Sequence, residues 1–341
     1  MRVLVLGGTR FIGLHAVKHL AELGNELHVF HRGQSNAGIP PGVKEIIGDR
    51  ANLAEFVPVF DALKPDVVIN MIGLSEQDGE SQFQMFRNKI GRYVVISSAD
   101  VYRAYDRLRL ADPGEPDPTP LTEKSPLRDK LYPYRADCKG PEDRLYNYDK
   151  ILLERALMAD ADAMPVTSIR LPMVYGPLDY QRRMHPYLKR MMDGRKQIIL
   201  SREQAGWHGL RGYVEDMADA IALCALDTRN GHHIYNAADR VCLTEREWVE
   251  AIADAYGWNG EIVELPEASL PDSLKDPMDW NQDWALDSAL IRQELGYSEL
   301  VPQKEAMLRT VQWQSANMPE EFDTNQFDYN AEDEVLAGAG G

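Results

Sequence analysis

The chain has 341 residues, 44% of them apolar, with 37 basic residues against 54 acidic ones and a formal net charge of -17. That length supports one large or two modest domains with well-buried cores. No apolar run approaches the roughly 18 residues of a membrane span, and the acidic balance speaks against a phosphate-backbone partner, which needs clustered Lys and Arg.

Three scattered cysteines, Cys138, Cys224 and Cys242, form neither a disulfide framework nor a Cys-rich metal motif. The adjacent His232 and His233 lack convergent ligand spacing, so no metal site is expected. A strand that starts at residue 3 leaves no room for a signal peptide, which predicts a cytoplasmic protein.

Val3 to Leu6 is a short unbroken apolar run, the pattern of a parallel strand buried on both faces. Gly7, Gly8 and Gly13 frame a turn, and Ala16, Val17, Leu20 and Leu23 then recur at helical spacing. Leu27 to Phe30 is the second strand. In such a unit the missing side chains let the backbone approach a pyrophosphate at the helix N-terminus, so Gly7, Thr9, Arg10, Phe11, Ile12 and Gly13 are candidate dinucleotide contacts. Arg10 stands where the pattern G-x-x-G-x-x-G has its middle glycine.

An NAD-preferring fold places an acidic residue near the end of the second strand to accept from the ribose hydroxyls. Here His31 and Arg32 stand there, which favours the 2′-phosphate of NADP over the diol of NAD. Further strands are predicted over 43–47, 66–70 and 93–96. Asp49 at the end of the first is either an adenine contact or a helix cap, Met71 rims the cofactor, and Ser97 and Ser98 end the last.

The proline-rich stretch around 112–120 forbids helix or inner strand, so 103–145 reads as a long excursion carrying several arginines and tyrosines. A lid facing an anionic substrate and a solvated loop both fit it. Tyr146 to Lys150 then opens a helical segment in which Tyr146 and Lys150, four apart, share a face, and a nearby ammonium favours a phenolate suited to proton transfer. A sixth strand is predicted over 165–171. After Tyr175, alternating helices and strands imply a smaller lobe interleaved with the last sheet strands, and Thr244 with Glu247 matches a capping box. From Ser315 onward there are seven acidic residues and no basic one, read as a flexible tail that Phe322, Phe327 and Tyr329 could dock.

Taken together, GGTRFIG, SSADVY, YNYDK, RLPMVYGP, YVEDMADAI and IYNAA resemble the extended short-chain dehydrogenase/reductase family, the NAD(P)-dependent epimerase/dehydratase group, over about residues 1–314. The Arg10 variant resembles an atypical subgroup that includes chloroplast stem-loop-binding proteins. The resemblance implies an α/β Rossmann-type doubly wound parallel sheet over 1–175, a substrate lobe over 176–314 and the tail over 315–341. It implies Tyr146 as acid/base, Lys150 on the nicotinamide ribose, Ser98 on the reacting oxygen, and hydride transfer at a secondary alcohol or ketone of a sugar-like, nucleotide-activated or free, substrate. Among candidate substrate residues, Met173 stands where sugar-nucleotide members commonly have Asn, Arg211 lies near but out of register with their usual Arg, and Ala99-Asp100 supplies half of the dehydratases' Asp-Glu pair. NADP is the preferred cofactor and NAD the alternative. A carbonyl reductase on a non-nucleotide substrate and a non-catalytic, RNA-binding scaffold are the competing readings, and the family leaves room for a homodimer.

Overall fold

Alternate side chains of β1 (Arg2–Leu6) point to opposite faces, and both faces are buried: Val3 and Val5 enter one apolar cluster, Leu4 and Leu6 the other. In the computed structural model, which describes residues 1–35, 38–319 and 321–339, this strand sits inside a seven-stranded sheet. The other members are β2 (Glu26–His31), β3 (Lys44–Ile47), β4 (Val67–Asn70), β5 (Arg92–Ser98), β6 (Val166–Leu171) and, after two short strands of the lobe and another between them, a late strand at His233–Asn236. Counting β7 (Met173–Tyr175), β8 (Gln197–Ser201) and β9 (Arg211–Tyr213), that late strand is β10, and the sheet order is β10-β6-β5-β4-β1-β2-β3 with every pairing parallel.

Helices cover both faces, as a parallel sheet requires. On one side lie α1 (Phe11–Glu22) and, much later in the chain, α8 (Val214–Leu226). The other side carries α2 (Val57–Leu63), α3 (Glu76–Phe86) and α5 (Lys150–Leu157), while α4 (Arg103–Leu108) follows β5 directly. The doubly wound reading holds. Because β10 returns to the sheet beside β6, the lobe is interleaved with the last strands. The lobe contributes α6 (His185–Met192), α7 (Arg202–Ala205), α9 (Glu245–Tyr256), α10 (Ala289–Leu295), α11 (Gln303–Ala316) and two small parallel pairs, β7 with β9 and β8 with β11 (Glu261–Leu265).

Two expectations change. The excursion after β5 is not a uniformly solvated loop: Arg103 pairs with Asp117, Arg107 with Asp112 and Arg109 with Asp137, while Arg144 at its end stays exposed with no side-chain partner among the described residues. The tail is not free either. It ends in α12 (Tyr329–Ala339), where Glu332 accepts from the buried Arg190 guanidinium at 2.6 and 3.0 Å, Asp333 pairs with Arg195, and Tyr329 donates to Asp193. Val335 and Leu336 pack against Ile199, Leu265 and Leu270. A tail without a single cation finds its counter-charges on and just after α6.

Candidate functional site

Open α/β sheets bind ligands at the carboxyl ends of their strands, and a cleft of about 380 Å³ opens there. The loop from Gly7 to Gly13, His31, Arg32, Asp49 and Met71 all line it. Gly13 is dictated by packing, because a Cβ there would lie 2.7 Å from the Cα of Gly8. Gly7 and Gly8 take φ near +97° and +96°, open to glycine at little cost. Arg10 needs no such freedom: its φ of -137° and ψ of 148° are extended, so arginine fits where the common pattern has glycine. No side chain caps α1, which leaves its first amides facing the cleft.

The cations of this rim differ in availability. Arg10 and Arg32 are exposed and have no side-chain partner among the described residues. Arg50 donates to the Ile72 carbonyl at 3.1 Å, and Arg144 reaches the cleft from the end of the excursion. His31 is engaged on both nitrogens: Nδ1 accepts from the Gly33 amide at 3.1 Å, so Nε2 carries the proton and faces Glu45 at 2.7 Å. It shapes the turn that presents Arg32. Asp49 accepts from the Ala51 amide at 2.9 Å and serves as a cap, while also lining the cleft.

At the end of β5, Ser98 lies beside Tyr148, and the charge of Asp100 acts on Lys150. The Lys150 ammonium donates to the carbonyls of Gly73 at 2.7 Å and Ile96 at 2.8 Å, joining the ends of β4 and β5. Burial pushes it down to about 8, against the pull of Asp100, Asp78 and Glu154. Asp149 explains why it sits there. One carboxylate oxygen of this fully buried residue caps α5 through the amides of Ile151 and Leu152, and the other accepts the Tyr132 amide at 2.7 Å.

The helix therefore begins at Lys150, and 141–149 is a run of turns. Tyr146 and Lys150 do not share a helix face, contrary to the expectation from their spacing. Tyr146 is half-buried and has the Arg135 guanidinium over its ring, 4.8 Å from the centroid. The phenol that reaches the strand end is Tyr148, which donates to Asp100 Oδ2 at 2.8 Å beside Ser98. Tyr134 donates to the same oxygen at 2.9 Å, and its own oxygen lies 3.0 Å from that of Tyr105. An Asp directly before an apolar helical run is a start signal; given its weight, Asp149 would have placed the helix correctly from sequence.

The expected substrate residues separate. Asp100 belongs to the site. Met173 lies half-buried beside the cluster that holds Tyr102 and Trp284, in register with Arg211 across β7 and β9. Arg211 is committed elsewhere: it is buried, paired with Glu245, and its guanidinium lies 4.2 Å from the Trp248 ring centroid. Among the described residues no three His, Cys, Asp or Glu side chains converge as a metal site, and no helix is long and apolar enough to cross a membrane.

Comparison with known proteins agrees with this architecture. The model of the NAD dependent epimerase/dehydratase family matches residues 3–238. The chain is 24% identical over 281 residues to the chloroplast stem-loop binding protein of 41 kDa b of Arabidopsis thaliana, covering 77% of this chain and 65% of that protein, just under two thirds of its length. It is 25% identical over 283 residues to 2'-dehydrokanamycin reductase of Streptomyces kanamyceticus, covering 81% and 72%. Among solved structures its fold is similar to that of UDP-glucose 4-epimerase of Thermus thermophilus in complex with NAD, with a TM-score of 0.67, 22% identity, and coverage of 93% and 100%.

Proposed function

Since the chain belongs to the NAD dependent epimerase/dehydratase family, we propose that it transfers hydride at a secondary alcohol or ketone of a sugar-like substrate, with NADP as the preferred cofactor. The observation that carries this is one cleft lined by the uncapped start of α1, by Arg10 and Arg32, which have no side-chain partner among the described residues, and by Ile96, whose carbonyl accepts from Lys150 two residues before Ser98.

The residues fit a dinucleotide. The α1 amides and the glycine loop suit a pyrophosphate, and Arg32, without a side-chain partner among the described residues, suits a 2′-phosphate as a charge-assisted donor. When bound, the dinucleotide supplies or accepts the hydride. The protein's part is to place the reacting carbon. Ser98 offers a hydroxyl to the substrate oxygen, a phenol of the YNYDK stretch exchanges its proton, and Lys150 holds a positive charge beneath that exchange. An ammonium lowered to about 8 is still mostly charged at neutral pH.

The phenols near the strand end are held in their protonated form. Burial first, then the charge of Asp100, pushes both Tyr134 and Tyr148 well above the ordinary tyrosine range, so they hold their protons for an alkoxide rather than act as bases. A relative named 2'-dehydrokanamycin reductase supports the reductive direction.

The test is a titration of NADPH and NADH against wild type and Arg32→Ala, followed by turnover with ketosugars and nucleotide sugars. Losing one charge-assisted phosphate contact of about 1.5–3 kcal/mol should weaken NADPH roughly 10- to 150-fold and leave NADH nearly unchanged. Net NADPH consumption marks a reductase, whereas product formation without net consumption marks an epimerase. Equal weakening of both cofactors would remove the 2′-phosphate assignment.

A further inference from the structure

We infer that Tyr148, rather than Tyr146 of the Y-x-x-x-K spacing, is the phenol that exchanges a proton with the substrate oxygen, and that Asp100 and Tyr134 connect it to Tyr105 at the edge of the site. The inference rests on the hydride-transfer reading above and specifies which residue performs the proton step.

Geometry separates the two tyrosines. Tyr148 is 8% exposed, lies beside the Ser98 hydroxyl, and has the Lys150 ammonium 5.8 Å from its ring centroid. The serine, phenol and ammonium needed for proton transfer are thus gathered around Tyr148 two residues before the lysine. Tyr146 takes part in none of these contacts; its ring and that of Tyr132 flank the Arg135 guanidinium, whose Nε donates to the Tyr146 carbonyl at 3.0 Å. The cause is local. Asp149 caps the helix at Lys150, so the residues before it follow turn geometry, and a spacing of four no longer brings Tyr146 over the lysine.

Asp100 is 3% exposed and accepts both Tyr148 and Tyr134 on Oδ2, while its Oδ1 is buried with no donor among the described residues. A buried carboxylate oxygen without a partner is uncommon and calls for one; a substrate hydroxyl is the donor a sugar-like ligand brings. Arg128 secures the residue by donating to the Asp100 carbonyl through Nε. Tyr105, half-buried, completes the chain through Tyr134, and the Arg109 guanidinium lies 5.4 and 5.3 Å from their two ring centroids.

In the reductive direction the carbonyl carbon takes a hydride from reduced nicotinamide dinucleotide. The Tyr148 O–H bond breaks as the substrate O–H bond forms. Tyr148 then recovers a proton through Asp100 Oδ2 as that oxygen takes one from Tyr134, and Tyr134 takes one from Tyr105, which is replenished by solvent. Asp100 begins and ends the sequence as a carboxylate, and each O–H bond broken is matched by one formed. Burial keeps Tyr148 protonated until an alkoxide is there to receive the proton.

The experiment is ¹³Cζ-tyrosine NMR on the full chain, with resonances assigned by Tyr148→Phe and Tyr146→Phe and with NADP⁺ as the probe, its binding followed in parallel by calorimetry. The resonance that Tyr148→Phe removes should move on saturation with NADP⁺, and the one that Tyr146→Phe removes should stay. Asp100→Asn should displace the Tyr148 resonance in the free protein while NADP⁺ still binds, an effect that loss of packing alone would not confine to one phenol. Movement of the Tyr146 resonance alone, or no tyrosine response despite bound NADP⁺, overturns the assignment. An unmoved Tyr148 resonance in Asp100→Asn overturns the relay. Absence of NADP⁺ binding in the wild type overturns the dinucleotide reading itself and is told apart by the calorimetry.

Discussion

Beneath the site lies an ion pair whose removal should be costly. Arg170 on β6 donates to Glu154 on α5 at 3.1 and 2.7 Å, with both residues almost fully buried, and Ser168 donates to the same carboxylate at 2.8 Å. Arg170 also donates to the Tyr102 hydroxyl, which donates to Asn236 on β10. Burial raises the Glu154 carboxyl, but Arg170 overrides it and holds the group below its usual range, so it stays ionised at neutral pH. Glu154→Gln keeps the shape and removes the charge, leaving a buried guanidinium uncompensated, which costs about 3–5 kcal/mol. Replacing both residues, as in Glu154→Gln with Arg170→Met, should recover much of that loss because neither charge is then buried alone. Urea unfolding of the wild type, both single variants and the double variant gives the coupling, provided the m-values agree. A cost under about 1 kcal/mol for Glu154→Gln, or strict additivity, would refute the picture of a mutually dependent buried pair.

Burial, followed by the Asp216 and Glu299 charges, pushes the Asp239 carboxyl up to about 7, overcoming the donors Tyr213 N–H and Tyr175 O–H. A raised folded-state value means a contribution that is full below about 4 and lost as pH rises through 7; with three units at stake the loss is up to about 4 kcal/mol. Asp239→Asn should therefore match wild type near pH 4 and exceed it above pH 7 in thermal unfolding, and parallel pH curves would count against it. Lys150 has the opposite sense. Its lowered value means that charging it inside the fold costs stability up to about pH 8, a cost relieved between 8 and 10.5. Lys150→Met should raise unfolding free energy at pH 7 by about 1–3 kcal/mol, with the gain fading above pH 8, and abolish turnover; a stability loss at pH 7 would oppose this. Glu332→Gln should destabilise by about 3 kcal/mol through the stranded Arg190, and an unchanged urea midpoint would mean that the tail contributes nothing to the lobe.

Much of this was legible from residue order because it depends on neighbours in sequence. The first strand, the glycine turn and the helix after it occupy one continuous stretch, and alternation against helical spacing distinguishes them. Ser98 stands out because strand ends mark where ligands lie, whereas Lys150 stands out through its spacing from Tyr146 and the family resemblance. Where the reading diverged, the deciding contact was remote or a cap was undervalued. Tyr146 was favoured by spacing counted as if the helix already ran through it, and the buried Asp149 carboxylate decides otherwise. The acidic composition of the tail by itself predicts flexibility; Arg190 and Arg195, more than a hundred residues earlier, supply the charges it lacks. Arg211 was judged by its position near YVED, with no sign in sequence that Glu245 would claim it.

The charge distribution follows the same logic. A chain of net charge -17 would repel an anionic cofactor if its charges were evenly spread, yet Arg10, Arg32, Arg50 and Arg144 gather around a cleft whose one acidic lining residue among those described, Asp49, is turned to a cap. Low-dielectric walls focus such a local field and raise anion capture beyond what net charge suggests. Arg10 shows how little backbone this required, since its extended conformation lets a cation replace glycine without strain. Arg144 adds a second consequence. It lines the cofactor cleft from the same stretch of chain that carries Tyr148 and Asp149, so one short segment contributes both a cation to the cleft and the phenol that donates to Asp100.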